Sequence, residues 1–155
     1  MTLDELLARE GIRKTIHGYN AAGDARDGKA FAALFAEDAV LEFAGFGPVP
    51  GFRSEGIGEI RARTASWSPE PGKDPSLSLA SFIRHNLTTC RINLTGADGA
   101  KAKTYFVVFT DIGPDHAGTY TDRLVRRGED WLLAHRRIAL DWRSPDSIYP
   151  AIKRS

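Results

Sequence analysis

AKAKTYFVVFTDIGPDHAGTYTDRLVRRGEDWLLAHRRIALDW, residues 100–142, decides the fold. Runs at about 100–112, 117–127 and 131–142 are rich in Val, Ile, Phe, Tyr, Trp and Thr, the residues that suit a pleated, half-buried surface. Gly113-Pro114-Asp115 and Arg127-Gly128-Glu129-Asp130 punctuate them as hairpin turns. A further strand at about 79–94 precedes them across Gly96-Ala97-Asp98-Gly99. Consecutive strands joined by short turns predict an antiparallel sheet.

Upstream the period changes. Leu3, Leu6, Leu7, Ile12, Ile16 and Tyr19 recur at helical spacing over residues 3–22, with Gly23 as the stop. A second helix fits 29–37, with Phe31, Leu34 and Phe35 on one side. Residues 39–43 read as a short strand and GFGPVPGF (45–52) as a turn. Ser54 is positioned to cap a third helix running to about Trp67. WSPEPGKDPS (67–76) reads as a loop and a candidate flap. Helices first and strands after predict an α+β domain spanning 1–155, in which three N-terminal helices pack over a cone-shaped, curved antiparallel sheet. Such a cone encloses a pocket, and polar side chains pointing into it are the candidates for chemistry.

Composition narrows the function classes. The 155 residues carry 21 basic and 20 acidic side chains, so the net charge of +1 supplies no long-range field for nucleic acid or an anionic membrane. The one cysteine, Cys90, excludes an internal disulfide and suits a reducing compartment. MTLDELLARE opens the chain without an apolar signal core, and no apolar run is long enough to span a bilayer. The expectation is a cytoplasmic protein acting on a small molecule. His17, His85, His116 and His135 make no metal-binding spacing. Gly56-Ile57-Gly58 lacks the context of a nucleotide loop, and no serine sits in a nucleophile elbow. The chemistry expected is therefore free of metal and cofactor.

Three polar residues break the apolar pattern. Alternation over SFIRHNLTT (81–89) puts His85 on one face with Ile83, Leu87 and Thr89. A histidine there either packs quietly against a backbone carbonyl or is placed to move a proton. Alternation over the last strand groups Leu132, Ala134, Arg136, Ile138, Leu140 and Trp142, with Trp131, Leu133 and His135 opposite. An inward Arg136 needs either a structural carboxylate or an anionic ligand. Tyr19 belongs to the helical stripe, and Asp24 and Asp27 follow the helix. One of these acids is enough to cap the next helix, which leaves the other free. A carboxylate on one imidazole nitrogen fixes the tautomer and stabilises the imidazolium formed when the other nitrogen takes a proton. Arg136 or the Tyr19 hydroxyl would then stabilise charge developing on an oxygen or leaving group. Tyr120 and Asp122 read as sheet packing and surface.

YNAAGDARDGKAFAALFAEDAVLEF (19–43), IRHNLTTCRI (83–92), GTYTDRLVRRGEDWLLAHR (118–136) and RIALDW (137–142) resemble the SnoaL-like branch of the NTF2-like superfamily. That branch includes scytalone dehydratase, hexachlorocyclohexane dehydrochlorinase and bile-acid 7α-dehydratase. The resemblance implies a His–Asp dyad in the cone, falling on His85 and Asp24. It also implies an arginine that assists the leaving group, at Arg136, five residues after Trp131, and a tyrosine at Tyr19 that suits hydration–dehydration or enolisation. His116, in a predicted turn, leaves no clear second pocket histidine of the scytalone dehydratase kind. The resemblance further implies a cofactor-free lyase, dehydratase or isomerase acting on a small, largely apolar cyclic or carbonyl-bearing substrate. A polyketide-cyclase-type enzyme, or a non-catalytic ligand-binding or assembly module, is the alternative. It implies a homo-oligomer, dimer or trimer, through paired sheet faces.

Overall fold

The structure, a computed structural model, describes residues 1–68, 70 and 80–147. The element order is α1 (Leu3–Asp24), α2 (Gly28–Ala32), β1 (Phe35–Phe43), β2 (Phe52–Glu55), α3 (Gly56–Thr64), β3 (Arg84–Leu94), β4 (Gly99–Thr110), β5 (Gly113–Arg127) and β6 (Asp130–Arg143). The six strands form one curved, unclosed sheet in the order β2-β1-β6-β5-β4-β3, and the helices pack on one face of it. The α+β plan of helices over a curved sheet therefore holds. One pairing departs from the antiparallel expectation. β1 runs parallel to β6, because after β2 and α3 the chain enters the sheet at its far edge as β3 and returns strand by strand until β6 lies beside β1.

α1 begins at a capping box, in which the Thr2 hydroxyl accepts from Glu5 N and the Glu5 carboxylate accepts from Thr2 N. It buries Ile12, Ile16 and Tyr19 against the sheet. Gly11 permits the approach, since a Cβ there would lie 2.8 Å from Trp131 Cδ1. Thr15 Oγ1 donates across to the Trp131 carbonyl.

Several boundaries move for identifiable reasons. α2 ends at Ala32 rather than 37, because Phe35 already pairs with Leu133 as the start of β1. Ser54 does not cap α3. It lies in β2, buried, and accepts from Arg63 Nε, while Gly56, at φ 78°, turns the chain into the helix and Glu59 accepts from Glu55 N. β5 begins at Gly113, so His116 is a strand residue and not part of a turn.

Bulges rewrite the alternation. One in β3 between Leu87 and Cys90 turns Thr89 outward and brings Cys90 and Ile92 in. Another, between β5 and β6, places Trp131 and Leu133 on the buried side together with Arg136. A third, at Ala117/Gly118, leaves Trp142 exposed. The candidate flap (67–76) falls mostly on 69 and 71–76, outside the described residues. No described helix is long and apolar enough to cross a membrane.

Candidate active site

The two acids that the sequence left undecided have separate jobs. Asp27 Oδ1 accepts from Ala30 N at 2.9 Å and caps α2. Asp24, on the last turn of α1, faces β3 instead. Its Oδ2 accepts from the His85 backbone N–H at 2.9 Å, and its Oδ1 lies 2.6 Å from His85 Nδ1. One carboxylate thus holds both the backbone and the ring of the same residue across 61 positions of chain. A carboxylate only accepts, so the contact places the proton on Nδ1 and leaves the Nε2 lone pair available. Nε2 has no hydrogen-bond partner among the described residues. The Asp24 side chain is 6% exposed and that of His85 18%.

His85 stands on the wall of a cavity of about 350 Å³ that lies between the helices and the sheet and is open to one side. That volume lies near the lower end of small-molecule sites, roughly 300–1,000 Å³. The wall is mainly apolar, with Phe31, Leu41, Ile83, Phe106, Ile138 and Leu140 among its residues. Its polar members include Tyr19, Asn20, Tyr120 and a second histidine, His116. Asp24 lies behind His85, in an outer groove that it shares with His17 and Asn86.

His116 corrects the sequence reading of a turn. A bulge between Val108 and Phe109 on one side, and Pro114 and His116 on the other, turns the adjacent Asp115 and His116 inward together. His116 Nδ1 lies 2.7 Å from Asp115 Oδ1, while Asp115 also accepts from the hydroxyls of Thr110 and Ser147. Burial lowers the His116 pKa below its ordinary value, against the opposing pull of the Asp115 hydrogen bond and charge. The two histidine rings flank Phe106, with centroid distances of 6.3 Å for His85 and 6.4 Å for His116.

Arg136 does not reach the cavity. It is fully buried and forked on Asp122, with Nε 2.8 Å from Oδ1 and Nη2 2.7 Å from Oδ2. Its two faces are covered by Tyr19 and Tyr120, whose ring centroids lie 4.1 and 4.2 Å from Cζ. Burial alone would lower its pKa, but the charge and hydrogen bonds of Asp122 outweigh that, and it stays cationic. The expected direct polarisation of a substrate oxygen does not fit this placement. Asp122 and Tyr120, read from sequence as surface and sheet packing, form the buried support behind Tyr19. The Tyr120 hydroxyl donates to Asn20 Oδ1 at 3.0 Å. Tyr120, Asp122 and Leu124 share one face by simple alternation, a signal that was present in the sequence. The bulge at Asp115 left no such signal.

Of the expected residues, the structure brings His85 and Asp24 into contact and sets Tyr19 on the same cavity, with Arg136 stacked behind it. No group of three or more His, Cys, Asp and Glu able to hold a metal occurs among the described residues.

The fold is shared with solved structures of low sequence identity. A single-residue variant of Rv3472, a protein of unknown function from Mycobacterium tuberculosis, superposes with a TM-score of 0.70 at 24% identity, over 96% of this chain and 78% of that one. A protein from Novosphingobium aromaticivorans DSM 12444, described as a candidate scytalone dehydratase, gives 0.74 at 17% identity, over 100% and 99%. The LinA-type3 hexachlorocyclohexane dehydrochlorinase of Novosphingobium barchaimii LL02 gives 0.70 at 18% identity, over 92% of each chain. No curated protein matches the chain in sequence. The family model for the SnoaL-like domain matches residues 4–137, and the chain belongs to that family.

Proposed function

We propose that the protein is a cofactor-free lyase, of dehydratase type, or an isomerase that removes a proton from carbon in a small, largely apolar cyclic or carbonyl-bearing substrate. The observation that carries this reading is the Asp24–His85 contact at 2.6 Å, beside an apolar cavity and with Nε2 left without a partner among the described residues. His85 Nε2 is the general base. Asp24 sets its tautomer and stabilises the imidazolium that forms. The Tyr19 hydroxyl polarises the substrate oxygen, and Arg136, stacked on the Tyr19 ring, acts only through it. The proton taken by His85 Nε2 is given back by the same imidazolium, to another carbon in isomerisation or to a departing hydroxyl in dehydration, while His116, oriented by Asp115, lines the same cavity. Two oriented imidazoles around one cavity suit dehydration or isomerisation better than simple binding.

The alternative, a binding or assembly module, predicts a filled cone or a histidine bonded only to backbone. The open cavity and the carboxylate at Nδ1 both weigh against it. Tyr105, Phe109 and Trp142, exposed large apolar side chains, suit the pairing of two or three copies through the strands that bear them. A single free cysteine fits action in the cytoplasm.

Deuterium uptake from solvent into a panel of cyclic ketones and hydroxy-ketones tests the reading. Wild type should exchange at least one member of the panel, and His85→Ala should lose that exchange while remaining folded. Equal exchange in His85→Ala removes the base from the mechanism.

A further inference from the structure

One asparagine on the cavity wall is only half satisfied. Asn20 is 5% exposed, lines the cavity and stands on α1 one turn before Asp24, the residue that holds His85. Its Oδ1 accepts from the Tyr120 hydroxyl at 3.0 Å. Its Nδ2 is closed to water and has no acceptor among the described residues. An amide nitrogen left in that state costs stability, and such groups are rare in folded proteins.

Turning the amide over does not relieve it. Tyr120 is buried, and burial pushes its pKa well above the usual value, so the hydroxyl keeps its proton and donates it. Asn20 Oδ1 is its one acceptor among the described residues. A reversed amide would leave both the Tyr120 O–H and the Asn20 oxygen without partners. Tyr120 is itself fixed, stacked on Phe106 at 4.4 Å and on Arg136, which Asp122 grips. The buried chain Asp122–Arg136–Tyr120 therefore orients the amide and leaves its N–H for another partner. Torsion about the Cβ–Cγ bond of asparagine is soft, so a small swing presents that N–H at the wall.

The wall there is shared with the base. Among the described residues, Asn20 and His85 are the two that line both the cavity and the outer groove holding Asp24. We propose that Asn20 Nδ2 donates to the substrate, and that the group it receives is a ring carbonyl oxygen on the carbon next to the one His85 deprotonates. The proposal deepens the proton-abstraction reading and rests on it for the role of that oxygen. In the step, the C–H bond breaks, its proton goes to His85 Nε2 and its electron pair moves through carbon to the carbonyl oxygen. The charge that develops meets a donor set in place before the reaction begins. A carbonyl suits the amide N–H because it accepts and never donates.

Binding of 1-tetralone and of 1-methylidenetetralin, in which =CH2 replaces the oxygen, tests this on the full chain. The chain has three asparagines and no glutamine, and Asn86 and Asn93 are exposed. Asn86→Asp and Asn93→Asp therefore identify the Asn20 side-chain amide signal in nitrogen-15 NMR without touching Asn20. 1-Tetralone should move that signal and 1-methylidenetetralin should not. Infrared difference spectra should show the carbonyl stretch of bound 1-tetralone at lower frequency, and Asn20→Leu should reverse part of the shift. The affinity ratio of ketone to alkene should fall roughly twofold to tenfold in Asn20→Leu, as for one lost hydrogen bond. His85→Ala should keep the shift and the ratio while losing deuterium exchange. An Asn20 signal that treats the two probes alike, or a carbonyl shift that survives Asn20→Leu in full, overturns the proposal. A ketone-specific Asn20 response in a protein that exchanges no deuterium supports the carbonyl site and counts against the base alone. Exchange without that response does the reverse.

Discussion

At the scale of single residues, the account turns on two aspartates three positions apart. Asp27 accepts from Ala30 N and ends there, while Asp24 binds the backbone and ring of His85. Asp27→Ala should therefore cost about 1 kcal/mol of stability, as for a lost helix cap, and leave deuterium exchange unchanged. Asp24→Asn should do the opposite, slowing exchange by roughly a hundredfold or more with the urea midpoint little moved. Denaturation and exchange measured on both variants check the pair. Asp122 supplies a third contrast. Its carboxylate neutralises the fully buried Arg136, so Asp122→Asn should cost roughly 3–5 kcal/mol by leaving a cation without its counter-charge. Urea unfolding reads that loss. These contrasts show what the sequence made visible. Tyr19 stood out as a hydroxyl within the helical stripe, Asp24 as one of two acids after the helix and His85 as a break in an apolar pattern, and all three lie at or against the cavity. Arg136 stood out for the same reason, but its partner came from the neighbouring strand and not from a ligand. His116 was hidden because adjacent strand residues should point opposite ways, and only a bulge brings Asp115 and His116 to one side.

At the scale of elements, strands and helices were legible where their period was sustained. Residues 3–22 and 100–142 carry long runs of one repeat, and the elements found there are α1, β4, β5 and β6. Short pieces failed. Phe35 has the same apolar character in a helix as in a strand, and only its pairing with Leu133 decides between them. β2 has four residues, too few to show alternation. The faces of the long strands failed at their bulges, because one extra residue inverts every side chain after it. Gly118 is where this matters most. A Cβ there would lie 2.2 Å from the Ala139 carbonyl and 2.9 Å from Phe106 Cζ, and Phe106 stacks on Tyr120 at 4.4 Å. Gly118→Ala should destabilise by roughly 1–3 kcal/mol or more and also slow exchange, since the displaced Phe106 lies between the two histidines. An unchanged urea midpoint in Gly118→Ala would show that the strands can part without cost.

At the scale of the whole molecule, His116 links pH to stability. Burial holds its folded pKa below the usual value of about 6.5, with the Asp115 hydrogen bond and carboxylate opposing and the nearby Arg143 charge adding. Between that folded value and about 6.5, the unfolded chain binds a proton that the folded chain refuses. The contribution is present in full above the unfolded pKa and is lost as pH falls through the folded one. The urea midpoint should fall on acidification from about pH 7.5 to about pH 5.5. The fall should be shallower in His116→Gln, in which this group no longer titrates.

The account as a whole stands on which nitrogen of His85 carries the proton. Nitrogen-15 NMR of the histidine side chains in the resting protein reads this directly, with His85→Gln identifying the signal. The account predicts a neutral ring protonated on Nδ1, with a bare Nε2, that loses this fixed tautomer in Asp24→Asn. A His85 ring protonated on Nε2, or one whose signals ignore Asp24→Asn, would contradict it.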